Sequence, residues 1–200
     1  EGADLIVYTA AVKLDNPELV AAKHLGIPAV ERCIMLGEVT RKYNRSIAVS
    51  GTHGKTTTTS MLTHILLQAD TDPTVSVGGM LDRIGGNIRV GHSDLFLTEA
   101  CEYTNSFLEF YPLYSIILNV EEDHMDFFKD IDDIRHSFRH FAELLPADGT
   151  LIINADTPKY EDIIRNLPCN VITYGLEHDA DYQAADITYD KYGHASFSVL

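Results

Sequence analysis

The stretch that most constrains this chain runs from Ser46 to Leu62, SIAVSGTHGKTTTTSML. A short apolar run, Ile47–Ser50, enters a loop with two glycines, one lysine and a row of threonines, and a helix-forming segment leaves it. Such a passage favours a strand–loop–helix unit in which the N–H groups that open the helix converge on one point. The glycines permit backbone angles and a close approach that other residues resist. The full phosphate-loop pattern G-x-x-x-x-G-K-[ST] is not met, because its first glycine falls on Val49. A shorter run, Gly51-Thr52-His53-Gly54-Lys55-Thr56-Thr57, carries the same parts. It is a candidate phosphate cradle. Lys55 would offset phosphate charge, and the Thr56 hydroxyl would reach a divalent metal. The alternative is a glycine-rich turn with a solvated lysine.

Around this unit the chain alternates strand and helix. Leu5–Tyr8 reads as a buried strand, and Asn16-Pro17 caps and opens a helix that stops at Gly26. A strand in IPAVER and a helix from about Cys33 to Tyr43 follow. From Ser46 the rhythm restarts: strand Ile47–Ser50, helix Lys55–Gln68, short strands in DPTVSV and NIRVG, and strands in DLFLTEA and YSIILNV. Ile131, Ile134, Phe138, Phe141 and Leu145 recur at helical spacing on one face. Then come strand GTLIINAD, helix PKYEDIIRNL, strand NVITYG and, from Ala180, a weak alternation suited to an antiparallel edge hairpin. The rhythm predicts an α/β fold, a mostly parallel sheet with flanking helices. The boundary falls at Lys42–Ser46, so residues 1–45 read as the end of one domain and 46–200 as an incomplete second.

Thirty acidic against fifteen basic residues give a formal charge of −15, which argues against a nucleic-acid binder. No apolar run approaches the roughly 18 residues of a membrane helix, so no membrane insertion is expected. Cys33, Cys101 and Cys169 are odd in number and far apart. They support neither a disulfide framework nor a zinc site, and suit a reducing, cytoplasmic setting. An anionic ligand must then be held locally, by N–H groups, Lys55 and a metal.

Two acidic features bear on that metal. DLFLTEA delivers Glu99 to the C-terminal end of its strand, where ligands sit in open parallel sheets. NVEEDHMD crowds Glu121, Glu122, Asp123, His124 and Asp126 into one loop after another strand. Mg²⁺ wants oxygen ligands, so Glu99 pairs naturally with Thr56, and His124 could complete a second metal shell. Taken alone, EEDH reads equally as an acidic helix N-cap. His136 and His140, four apart beside Arg135 and Arg139, read as a solvated helix face rather than a metal pair.

GTHGKTTT, TEACEYTNSF, ILNVEEDHMDFF and LLPADGTLIINADTP together resemble the Mur ligase superfamily across essentially the whole chain. The resemblance implies that residues 1–45 end a UDP-binding Rossmann-like domain and that 46–200 form most of a P-loop-containing central ATPase domain. Further domains of the same polypeptide would act as partners. It implies ATP and Mg²⁺ as cofactors, with Gly51–Thr57 around the phosphates, Thr56 and Glu99 on one Mg²⁺ and His124 on a second. Lys55, Glu99 and His124 would carry the catalysis. His53 within the loop and Val77–Gly79 are similar to the member that adds the first amino acid to the peptidoglycan precursor, joining L-alanine to UDP-N-acetylmuramate through an acyl phosphate. Related ligases, acting on a recycled tripeptide or on folates, share these residues, and a non-ligase P-loop ATPase is a further alternative. The family reads Glu-Ala-Asp-Glu-Ser-Asp where this chain has Glu99-Ala100-Cys101-Glu102-Tyr103-Thr104. No role therefore carries over to Cys101 or Thr104, and Cys101 reads as a small buried residue rather than a nucleophile. Thr9–Ala11 could help to hold the uridine diphosphate.

Overall fold

The structure, a computed structural model, describes residues 2–200. Strand β1 (Ile6–Tyr8) pairs in parallel with β2 (Ala29–Glu31) as a small sheet of their own. Helix α1 (Pro17–Leu25) begins where its sequence dictates. Asn16 Oδ1 accepts the Glu18 N–H at 2.9 Å, and proline occupies the first turn, where its missing donor is no loss. Helix α2 (Arg32–Thr40) follows β2 directly.

The remaining strands are β3 (Arg45–Ser50), β4 (Thr74–Leu81), β5 (Gly86–Arg89), β6 (Leu95–Glu99), β7 (Tyr114–Ile117), β8 (Thr150–Asn154), β9 (Asn170–Gly175), β10 (Tyr182–Tyr189) and β11 (Ala195–Val199). They form one sheet of nine, ordered β11-β10-β9-β8-β7-β3-β6-β4-β5. From β10 across to β4 every neighbouring pair is parallel; β5 and β11 close the edges antiparallel. The expected edge hairpin is thus β10–β11. Central β3 is flanked by β6 on one side and β7 on the other. The chain builds β6 and β4 to one side of β3, then β7, β8 and β9 outward on the other. That reversal opens a crevice at the C-terminal ends of the strands, beyond Ser50, Glu99 and Ile117.

Helices cover both faces. Val49, Val75, Val77 and Leu97 pack under Leu62 and Leu66 of α3 (Lys55–Gln68). Ala48, the neighbour of Val49 in β3, faces the opposite cluster. There Ile134, Phe138 and Phe141 of α4 (Ile131–Glu143) meet Phe107, Ile117 and Leu151. The Phe107 and Phe141 rings stack with centroids 4.6 Å apart. The helical spacing seen in the sequence is this buried face. Alternate residues of β3 thus serve two cores, as befits a strand buried on both sides.

Three elements differ from the sequence expectation. Strand β1 is not buried, since Val7 is exposed and Ile6 and Tyr8 are half-buried in a sheet of only two strands. DPTVSV is the start of a longer strand, since β4 continues through Gly78-Gly79 to Leu81. The helix read in PKYEDIIRNL spans only Tyr160–Ile164, as α5. Lys159 before it and Asn166 after it both take left-handed backbone angles, and Arg165 is extended, so neither end propagates. No described helix is long and apolar enough to cross a membrane.

Candidate active site

The loop from Gly51 to Gly54 joins β3 to α3 at the crevice. Gly51 has φ 140°, and a Cβ there would lie 2.9 Å from the Leu118 side chain, so only glycine suits the turn. The loop is braced from β7. Thr52 N–H donates to the Asn119 carbonyl at 3.1 Å, and His53 N–H donates to Asn119 Oδ1 at 2.7 Å. The Asn119 amide returns a bond to the His53 carbonyl at 3.0 Å. Thr52 Oγ1 accepts the Glu121 N–H at 2.9 Å. The N–H groups of Thr52 and His53 are therefore committed to the brace. Those opening α3, from Lys55 to Thr57, are the ones a helix leaves without internal partners, and its dipole favours an anion there. The His53 ring is exposed, 3.8 Å from Glu121.

Thr56 projects from the first turn of α3 and donates to Glu99 Oε2 at 3.0 Å. Glu99 Oε1 accepts the Gly78 N–H of β4 at 2.5 Å. A Cβ at Gly78 would lie 2.6 Å from Glu99 Oε2, so a bare backbone is needed at this point in β4 for the carboxylate to sit here. Lys55 turns back over its own loop: its amine donates to Gly51 O at 2.6 Å, to Thr52 O at 3.1 Å and to the Glu102 carboxylate at 3.0 and 3.2 Å. His124 lies on the far side of Glu102, Nε2 3.7 Å from Oε1. Its ring stacks on Tyr103 with centroids 4.5 Å apart, and the Tyr103 hydroxyl donates to Asp126 at 2.7 Å. His124 has φ 53°, as Thr104 and Asn105 have 55° and 58°. Such conformations cost on the order of 1 kcal/mol each and gather where a site over-determines the backbone.

The structure thus brings Lys55, Thr56, Glu99 and His124 to one end of the sheet. It does not gather the whole acidic loop. Among the described residues no group of three or more His, Cys, Asp or Glu is placed to hold a metal unaided. Nor is EEDH a helix cap; that role falls to Asp130, whose carboxylate accepts the Asp133 N–H at 2.9 Å. His136 and His140 lie on the outside of α4 with their Nε2 atoms 3.0 Å apart, and His140 Nδ1 is 3.0 Å from Glu143. Cys101 is exposed rather than buried as expected, because it lies just past the end of β6; its thiol pKa is raised, chiefly by desolvation, which makes it a poor nucleophile.

Beside Glu99 a cleft of about 440 Å³ runs back toward β1. Gly78, Glu99 and Cys101 line it from the large sheet, Thr9–Ala11 and Arg32 from the small one. Helix α2 forms the seam between them. A Cβ at Gly37 would overlap the Glu109 carbonyl, and Thr40 Oγ1 donates to Gly37 O at 2.7 Å while accepting the Tyr111 N–H at 3.2 Å.

The family model for the Mur ligase middle domain matches residues 49–199, and the chain belongs to the Mur ligase family. The chain is 57% identical over 199 residues to the UDP-N-acetylmuramate–L-alanine ligase of Agathobacter rectalis, covering 100% of this chain and 43% of that protein. Among solved structures, the UDP-N-acetylmuramate:L-alanyl-γ-D-glutamyl-meso-diaminopimelate ligase of Neisseria meningitides matches with a TM-score of 0.85 at 29% identity, over 99% of this chain and 64% of that one. The UDP-N-acetylmuramate–alanine ligase of Thermotoga maritima matches with a TM-score of 0.82 at 28% identity, over 98% and 44%. The chain spans less than half the length of the curated relatives it matches.

Proposed function

We propose that this chain is the nucleotide-binding part of an ATP-dependent ligase that joins L-alanine to the carboxylate of UDP-N-acetylmuramate. In this reading residues 1–45 end a UDP-binding Rossmann-like domain and 46–200 belong to the central ATP-binding domain, with Thr9–Ala11 on the sugar-nucleotide side of the cleft. The observation that carries the reading is the meeting of Thr56 and Glu99, 3.0 Å apart on neighbouring elements, beside Lys55. Relatives at 57% and 54% identity that bear this activity in their names support the choice of acceptor.

The chemical problem is to bring a carboxylate onto a triphosphate that is already an anion. The sugar carboxylate attacks the terminal phosphorus of ATP, ADP leaves, and an acyl phosphate forms; the amine of L-alanine then attacks the acyl carbon and phosphate leaves. The first-turn N–H groups of α3 and the Lys55 amine offer donors to the phosphate oxygens. A hydroxyl and a carboxylate side by side are the donor set that Mg²⁺ accepts together with phosphate oxygens, so Thr56 and Glu99 fit one ion. His124, close by, would help to hold a second. Bound there, the ions would supply neutralisation of the phosphate charge.

The match to a tripeptide ligase favours one second reading, in which a ready-made tripeptide is the acceptor. Phosphate release by the full-length protein, with ATP, UDP-N-acetylmuramate and either a panel of amino acids or the tripeptide, separates the readings. Release dependent on L-alanine is expected. Dependence on the tripeptide would select the second reading, and release without any sugar nucleotide would select a plain ATPase.

A further inference from the structure

We propose that Glu102 is a positioning residue of this site, a buried carboxylate that binds the Lys55 amine and lies against His124, and so aims both at the cradle. The inference rests on the ligase reading above. Glu102 is only 2% exposed, and its carboxylate meets the Lys55 amine at 3.0 Å. A buried carboxylate needs such partners, since desolvation otherwise disfavours its charge.

An ammonium group has three N–H donors. Gly51 O, Thr52 O and Glu102 between them take all three from Lys55. A phosphate oxygen therefore gains a Lys55 donor only by exchange with one of these acceptors. The two carbonyls belong to the loop itself. Glu102 is the acceptor with another basic group at hand, His124 Nε2 at 3.7 Å. The exchange that frees Lys55 thus leaves the buried carboxylate beside an imidazole rather than alone. Tyr103, the next residue, stacks on that imidazole and ties its own hydroxyl to Asp126. Two adjacent residues thereby hold the lysine on one side and the histidine on the other. Glu102 lines neither the cleft nor the outer face of the loop, so it acts through its neighbours.

The test is a kinetic double-mutant cycle in the full-length protein. Glu102→Gln keeps the shape and one acceptor but removes the charge. Its kcat is expected to fall about tenfold or more, by a larger factor than the KM for ATP rises. In a Lys55→Ala background the same change is expected to cost a clearly smaller factor than in the parent, because the part of its effect that passes through the lysine is already lost. Glu102→Asp, which keeps the charge but shortens the reach, is expected to fall between. If Glu102→Gln loses its thermal transition, Glu102→Asp is taken through the same cycle with the same expected dependence on Lys55. Turnover of Glu102→Gln within about twofold of the parent, or losses that multiply independently of Lys55, would overturn the proposal. Near-parent turnover by Lys55→Ala alone would instead overturn the site reading beneath it.

Discussion

Glu99 is held from two directions, by the Thr56 hydroxyl and by the Gly78 N–H, and that makes its position sensitive to a single methyl group. In Gly78→Ala the added Cβ would fall 2.6 Å from Oε2, and the carboxylate must swing away. Turnover of the full-length protein is expected to drop on the order of a hundredfold, with the melting temperature little changed, since the displaced atoms end a flexible side chain. Asp156 offers a test that reaches beyond the site. Burial tends to raise its pKa, but the N–H groups of Leu176, His178 and Glu177 and the His178 imidazole outweigh that and hold it at about 2. Its contribution to stability is therefore present above the ordinary aspartate value and is lost as pH falls toward 2. His178, raised by its hydrogen bond to Asp156, contributes in the opposite sense. Its share is present below the ordinary imidazole value and is lost as pH rises through its elevated one. In Asp156→Asn the His178 midpoint, read from its imidazole NMR signals, is expected to move down to the ordinary range. At this scale the sequence was informative where a residue ends a regular element. Glu99 terminates an apolar strand and Lys55 opens a helix, so their direction follows from the element. Glu102 follows in an irregular run interrupted by the left-handed Thr104 and Asn105, and no periodicity tells which acid there turns inward. Asn119 was hidden for the same reason, lying just past the end of β7.

Among the elements, α4 shows how differently a core residue and a cap contribute. Phe138 is fully buried and meets Phe107 edge-on with centroids 5.4 Å apart. Phe138→Ala is expected to cost about 3–5 kcal/mol in chemical denaturation. Asp130→Ala removes only the acceptor for the Asp133 N–H, and about 1 kcal/mol is expected from the same measurement. A cap loss as large as the core loss would mean that Asp130 does more than end the helix. The α4 pattern was legible because five apolar residues at helical spacing admit one reading. The shortness of α5 was not, because left-handed angles at Lys159 and Asn166 are set by the surrounding loops rather than by helix propensity. The extension of β4 through Gly78-Gly79 was likewise hidden. Paired glycines suggest a turn, yet here they lie within β4, where the Gly78 N–H donates to Glu99.

At the level of the molecule, the alternation of strand and helix announced a parallel sheet, yet strand order was not readable from it. That β6, and not the next strand in sequence, lies beside β3 depends on long-range pairing that local pattern does not encode. The seam at α2 belongs to this scale as well. Gly37→Val would force α2 off the Glu109 backbone, and a lower melting temperature is expected. On the proposed ligase reading, the KM of the full-length protein for the sugar nucleotide is expected to rise more than that for ATP, because Thr9–Ala11 and Arg32 line the far wall of the cleft. Equal effects on both substrates would count against that assignment. The seam also ties distant parts together. The short 3-10 stretch Tyr103–Glu109 has the Gly37 contact at its last residue, and Glu102, against Lys55, immediately precedes its first. One run of seven residues therefore links the α2 seam to the carboxylate that holds Lys55. The backbone path from the α2 seam to the Lys55 ammonium group beside the Gly51–Gly54 loop is thus a single short run, kinked at Thr104 and Asn105.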